Sequence, residues 1–280
     1  DKLSWIGFDA CLMSSLEVAG MLSPYADYMI ASQETEPAHG WNYAFLAGLG
    51  NDSSGAETGR RIIDTYLEGR EDTRDVLTLS CLDLSRAEAA LAAVDSFFGG
   101  IDGMGDALFN AISGVRMNAA GFGKGLRGLN DDGYDLVDLM DLTQRLSPLM
   151  NDAAPLQQAI GELVVYSRAN IDDANGVSVY HPYMNKKKFQ ARWQADYAAL
   201  SIAPAYTAYV GRFGDWLTGE AMADWSGLCP VSLGFDGQGS ERFALQLTAA
   251  QTTDFASAQM VILKEIWKEN RTVAIVGTVP

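Results

Sequence analysis

The sequence predicts an α/β protein: a mostly parallel sheet covered by helices on both faces, followed by a small antiparallel β module. Three observations carry this. Strand and helix patterns alternate from Leu3 to Phe98, the order that builds parallel sheets. Helices fall between successive strands in this order, which implies a sheet covered on both faces. After Trp225 the texture changes to short strand-like runs separated by Gly and Asn turns. These observations divide the chain into a domain over 1–224 and a module over 225–280.

Taken in order, Leu3 to Ala10 reads as a strand and Ser15 to Leu22 as a helix. That helix opens on Ser14-Ser15-Leu16-Glu17, a capping box with Ser14 as N-cap and Glu17 reaching back, and Pro24 ends it. Asp27 to Ser32 is a second strand, followed by a polar loop, Gln33 to Gly40. Gly55 to Glu68 is helical, with Ile62, Ile63, Tyr66 and Leu67 on its apolar side. Val76 to Leu82 is a third strand containing Cys81, and Ala87 to Phe98 a long helix capped by Asp83 or Ser85. Gly103 to Met117, Leu136 to Leu146 and Ala154 to Arg168 read as helices. Gly176 to Tyr180 is a fourth strand, and Phe189 to Ala199 and Ala205 to Leu217 complete the helical set. In the last module the strand-like runs are Val231–Phe235, Arg242–Leu247, Ala258–Trp267 and Arg271–Val276, ending at Pro280 without a closing strand.

Composition limits the function. The 280 residues carry a formal charge of -16, which excludes a general polyanion binder, because nucleic-acid contact needs clustered Lys and Arg. The basic run Lys186-Lys187-Lys188 is a solvated surface feature. No apolar run is long enough to span a membrane as a helix. Cys11, Cys81 and Cys229 have no zinc-type spacing and suggest no disulfide framework. The Gly-rich stretch Gly121 to Gly125 lacks the context of a phosphate-binding loop.

The chemistry centres on Phe8-Asp9-Ala10-Cys11-Leu12-Met13, where an apolar strand runs into a helix. A helix N-terminus favours a nearby thiolate. If the strand persists to Cys11, Asp9 faces the same way, with Cα atoms about 6.6–6.8 Å apart. Asp9 could then bind a cationic substrate group or orient a base; a buried inert cysteine beside a turn acid is the plain alternative. A cysteine hydrolase needs a base, and the chain has only two histidines. His39 reads first as a loop residue and His181 as a packed residue at a strand end. Glu34 and Glu36 are loop charges with the option of lining a specificity pocket.

The nucleophile stretch resembles that of the clostripain family of cysteine endopeptidases. Ala31-Ser32-Gln33-Glu34-Thr35-Glu36-Pro37 with Gly40-Trp41 is similar to the family's acidic loop. Gly133-Tyr134-Asp135-Leu136-Val137-Asp138-Leu139 resembles a helix entry, and Gly176-Val177-Ser178-Val179-Tyr180 with Pro182 a late core strand. The resemblance runs over about residues 1 to 225. It implies a caspase-like α/β/α sandwich, cleavage after Arg and also Lys, Cys11 as nucleophile, and Asp9 as receptor for the basic side chain; Glu34 and Glu36 stand beside these as candidate pocket residues read from the loop itself. A carboxylate suits a guanidinium because it accepts both arms.

The family's catalytic His lies upstream of the cysteine, in a His-Gly pair, whereas His39 and His181 of this sequence both lie downstream of Cys11. The expectation is therefore a heavy chain, produced by self-cleavage before Asp1 and completed by a light chain bearing the His, secreted or held at a cell surface. No cofactor is required. Calcium serves some members, yet the chain has no EF-hand pattern, and Asp131-Asp132 and Asp172-Asp173 read as turns. The rival readings are a non-catalytic peptide-binding module on the same scaffold, and a hydrolase of another class using Cys11 with His39.

Overall fold

The computed structural model describes residues 2–50, 53–70, 75–99, 106–123, 134–150, 152–218, 232–235, 241–244, 260–266 and 272–279. The elements follow as β1 (Leu3–Gly7), α1 (Leu16–Leu22), β2 (Ala26–Ala31), α2 (Gly55–Leu67), β3 (Thr78–Asp83), α3 (Ala87–Gly99), α4 (Asp106–Asn118) and β4 (Gly121–Phe122). They continue as β5 (Leu136–Asp138), α5 (Leu139–Leu146), α6 (Ala154–Leu163), β6 (Val164–Ala169) and β7 (Ser178–Tyr180). A helical run then covers α7 (Lys186–Lys188), a π-helical turn Phe189–Trp193 and α8 (Gln194–Ala199), before α9 (Pro204–Thr218).

The main sheet has the order β1-β2-β3-β6. Its two faces are both buried, and alternation along the strands sorts the side chains between them. Met29, Ala31 and Leu82 join the larger core, built with α1, α3, α5, α6 and α9. Ile30, Leu79 and Cys81 face the other way, into a second core with Trp41, Phe45 and the Ile62, Ile63 and Tyr66 side of α2. Helices on both faces of a sheet make the expected α/β sandwich.

Strand direction departs from the expectation. β1 and β2 are parallel, but β2–β3 and β3–β6 are antiparallel, as are both ladders of the second sheet, β4-β5-β7. The chain from Ala31 to Thr78 passes through a long loop and α2, enough to return it to either end of the sheet.

Two predicted helices are divided. Leu136–Asp138 is strand, and α5 starts only after Asp138, whose side chain accepts the Asp141 N–H as N-cap. Likewise α6 stops at Leu163, and Val164–Ala169 pairs with β3. Val164, Val165 and Tyr166 favour a strand once an open edge is offered. The N-cap of α1 is Ser15, not Ser14. Ser14 is fully buried, its hydroxyl donating to the Gly176 carbonyl at 2.7 Å, and Glu17 turns inward to accept the Tyr180 N–H and the Tyr197 hydroxyl.

Beyond residue 218 the described residues form antiparallel pairs, β8 (Ser232–Phe235) with β9 (Glu241–Ala244) and β10 (Met260–Ile266) with β11 (Thr272–Val279). The boundary at 224–225, Cys229, Gly125, Asp131 and Asp132 lie outside the described residues. Among those described, no helix is long and apolar enough to cross a membrane.

Candidate active site

β1 ends at Gly7, so Asp9 and Cys11 do not share a strand face; a tight loop brings them forward instead. The loop is fastened at both ends to the β2 side of the sheet, by Phe8 N–H to the Ile30 carbonyl at 2.9 Å and Ser14 N–H to the Ser32 carbonyl at 2.8 Å. Between them Leu12 takes a left-handed conformation, φ 63°, uncommon for a leucine, and donates its N–H to the Glu34 carbonyl at 3.1 Å. Cys11 lies exposed at the crest.

The acidic loop lies against this crest. Glu36 N–H donates to Cys11 Sγ at 3.3 Å, and the same sulfur is 3.9 Å from the Glu36 carbonyl oxygen. The amide donor of the thiol is therefore a loop peptide rather than the start of α1, which begins only at Leu16.

Asp9 is held from the far side of the loop. Trp41 N–H donates to its two oxygens at 3.1 and 3.2 Å, and Tyr43 Oη donates to Oδ2 at 2.9 Å. Gly40 has φ 62°, and a Cβ there would stand 2.8 Å from Asp9 Oδ2, so both conformation and space require glycine. Trp41 also donates Nε1–H to Glu36 Oε1 at 3.1 Å, placing one indole between the two acids. Glu36 Oε2 is buried and receives no donor. Burial, then the hydrogen-bonded Asp9 carboxyl, push the Glu36 pKa up to about 8. For Asp9, burial would act upward, but hydrogen bonds from Glu36, Tyr43 and Trp41 outweigh it and hold the pKa below the usual carboxylate range. The two acids thus divide into a charged Asp9 and a neutral Glu36 at neutral pH, because adjacent carboxyls do not ionise together cheaply.

Glu34 is otherwise engaged: its Oε1 accepts the N–H groups of Thr35 at 2.7 Å and Gly123 at 3.1 Å, tying β4 to the acidic loop. Neither histidine bonds to Cys11. His39 Nδ1 lies 2.9 Å from the Gly40 carbonyl and 3.1 Å from Arg70 Nη1. His181 is fully buried, with Nε2 2.7 Å from the Tyr209 hydroxyl, and burial drives its pKa well down. Among the described residues no group of three or more His, Cys, Asp or Glu converges as a metal site. Tyr43 and the bridging role of Trp41 are absent from the sequence reading; Gly40-Trp41 was visible there as a motif without a task.

The clostripain family model matches residues 1–216. The chain belongs to the clostripain family. It has the fold of that family's cysteine peptidases, whose substrates are peptides. A cysteine protease from B. fragilis superposes with a TM-score of 0.54 at 17% identity, over 76% of this chain and 88% of the other. A clostripain from Bacteroides thetaiotaomicron in complex with the peptide inhibitor BTN-VLTK-AOMK gives 0.50 at 19% identity, over 69% and 86%. An inactive zymogen C11 protease from Parabacteroides distasonis gives 0.51 at 19%, over 70% of this chain and 58% of that one. These likenesses establish the caspase-like α/β architecture. No curated protein matches the chain.

Proposed function

We propose that this clostripain-family chain is the cysteine-bearing part of an endopeptidase that cuts peptide bonds after Arg or Lys. The observation that carries the reading is the exposed Cys11 sulfur, touched by the main-chain N–H of Glu36, whose side chain shares Trp41 with Asp9. The thiolate attacks the scissile carbonyl carbon, the oxyanion is met by backbone N–H groups, and an imidazole protonates the leaving amine. Water then hydrolyses the thioester. Asp9 and Glu36 receive the basic side chain, and Glu34 braces the loop that carries them. The peptide inhibitor named for the B. thetaiotaomicron clostripain, written VLTK, ends in a basic letter and is consistent with this preference.

The imidazole comes from a separate light chain. Two observations support this. Neither described histidine bonds to Cys11, and among the described residues β1 pairs with β2 alone, which leaves its other edge available to a strand from elsewhere. A related C11 protease was solved as an inactive zymogen, and another is described as secreted, which favours maturation by cleavage and a place outside the cell or on its surface. No metal is needed in this scheme, so EDTA should leave activity intact; a loss restored by calcium would revise that.

Reporter peptides with Arg or Ala before the scissile bond test the substrate class. A strong Arg preference is expected, and equal rates would end it. Cys11→Ala should abolish cleavage of both. Denaturing electrophoresis of an active preparation should show a second, smaller polypeptide. If His39→Gln removed activity while no second polypeptide was present, the base would lie within this chain.

A further inference from the structure

Resting on the reading of Asp9 and Glu36 as the receptor for a basic side chain, we infer that the empty receptor holds one proton between its two carboxyls. Entry of a cationic side chain expels that proton, so selectivity for basic residues rises with pH.

The geometry is specific. Trp41 donates its main-chain N–H to Asp9 and its indole N–H to Glu36, which fixes the two carboxyls as neighbours. Glu36 Oε2 is buried and no N–H or O–H of another residue reaches it. A buried carboxylate oxygen without a donor is costly, whereas a carboxyl O–H there donates to Asp9 and removes the cost. Among the described residues no ion pair involves either acid. The receptor is thus monoanionic when empty. Asp9 accepts from Trp41, Tyr43 and Glu36.

The groups facing the pair are few. The β1 loop supplies Asp9 and Cys11, the acidic loop His39, and the turn after it Tyr43; α2 supplies Tyr66, with Arg70 just beyond and Asp75 further on. Arg70 is turned to His39 Nδ1 and the Gly40 carbonyl rather than to the acids. Tyr66 Oη, like Glu36 Oε2, is buried without a hydrogen-bond partner, and Arg70 lies over its ring, 5.5 Å from the centroid, without an ion pair to either acid.

When a guanidinium or ammonium arrives, its N–H groups replace the Glu36 O–H as donor. Glu36 ionises, its proton passes to solvent, and two carboxylates face one cation. Binding and proton release are then linked. No covalent bond of the substrate is involved, and the charge balances as one cation in and one proton out.

The test uses the mature two-chain enzyme and a pair of reporters, one with Arg and one with citrulline before the scissile bond. Citrulline keeps the shape and loses the charge, so the ratio of their kcat/KM values cancels the titration of the thiol and its base. The ratio should rise at least about tenfold from pH 6 to pH 8 and then level. In Glu36→Gln it should be flat with Arg still preferred through Asp9, and in His39→Gln the rise should persist. A flat ratio in the wild-type enzyme, with Arg preferred throughout, overturns the shared proton but keeps the receptor. A ratio near one at every pH overturns the receptor itself. Loss of the rise in His39→Gln would assign it to that imidazole and also overturn the inference. Should Glu36→Gln fold poorly, calorimetry of an Arg peptide binding to the Cys11→Ala enzyme, in buffers of different ionisation enthalpy, counts the released proton directly; a count near zero has the same force.

Discussion

The loops that carry Cys11 and the polar network directly behind them are built from similar residues and satisfied in opposite ways. In the network of Ser14, Ser80, Gln33, Asp138 and Asn175 behind the site, each side chain has its partner. Ser14 Oγ and Ser80 Oγ lie 2.9 Å apart, each within hydrogen-bonding reach of the Gly176 carbonyl, and the Gly176 N–H goes to Gln33 Oε1. Gln33 Nε2 donates to Asp138, which also receives the Asp141 N–H and both the main-chain and side-chain N–H groups of Asn175. In front, Glu36 holds a buried oxygen that nothing approaches, and Leu12 sits in a left-handed turn. Asp138 and Glu36 are both withdrawn from water, and burial raises both pKa values, but four donors oppose the rise in Asp138 while one indole N–H opposes it in Glu36. Saturation makes a scaffold, and a deficit leaves a group able to respond to what enters.

The contrast can be broken first through the cysteines. Cys11 lies on the front loop; Cys81 follows Ser80 in β3, fully buried, its pKa pushed up to about 12 by burial and then by Asp83. Iodoacetamide should modify Cys11 in the folded protein at least about a thousandfold faster than Cys81, whose exposure requires opening a core strand. Comparable rates, read by mass spectrometry of the digested protein, would dissolve the distinction. Next in size is Asp138→Ala, expected to cost about 3 kcal/mol in urea unfolding, because it strands several buried donors and uncaps α5. A loss below about 1 kcal/mol would show that the rear network is not saturated as described.

Smaller effects belong to the front. Gly40→Ala meets both an unfavourable φ and the Asp9 carboxylate, so it should cost about 1–2 kcal/mol and raise KM for an Arg reporter more than for its citrulline analogue. Unchanged KM values would release Asp9 from dependence on this turn. A separate change is expected in the pH dependence of stability. A carboxyl whose folded pKa stands near 8 binds its proton more tightly in the folded chain, so stability falls as pH rises from about 4.5 towards 8. Glu36→Gln should match the wild type near pH 5 and flatten that fall, as followed by thermal unfolding in a pH series. An identical slope in both proteins would place the titrating group elsewhere.

Much of this was legible in the chain. The alternation of strand and helix patterns announced a sheet covered on both faces, and Phe8 to Met13 marked the loop that carries Cys11. The divided helices were not legible, because Val164-Val165-Tyr166 continues a helical pattern until the edge of β3 is there to receive it. The Ser14 cap failed for a similar reason: a serine suits a helix start, but the Gly176 carbonyl and Ser80 claim it from more than sixty positions away. The shared strand face expected for Asp9 and Cys11 does not hold, since a loop and not a pleat carries both. The Glu36 peptide contact with sulfur left no trace in the sequence, because any residue other than proline could supply it.

That last contact has an evolutionary consequence. It is made through the main chain, so the side chain at position 36 can be exchanged without withdrawing the donor from the sulfur. Selectivity for what lies before the cut can therefore drift, or be redesigned, while the attacking atom keeps its companion; only an imino acid at that position would sever both at once.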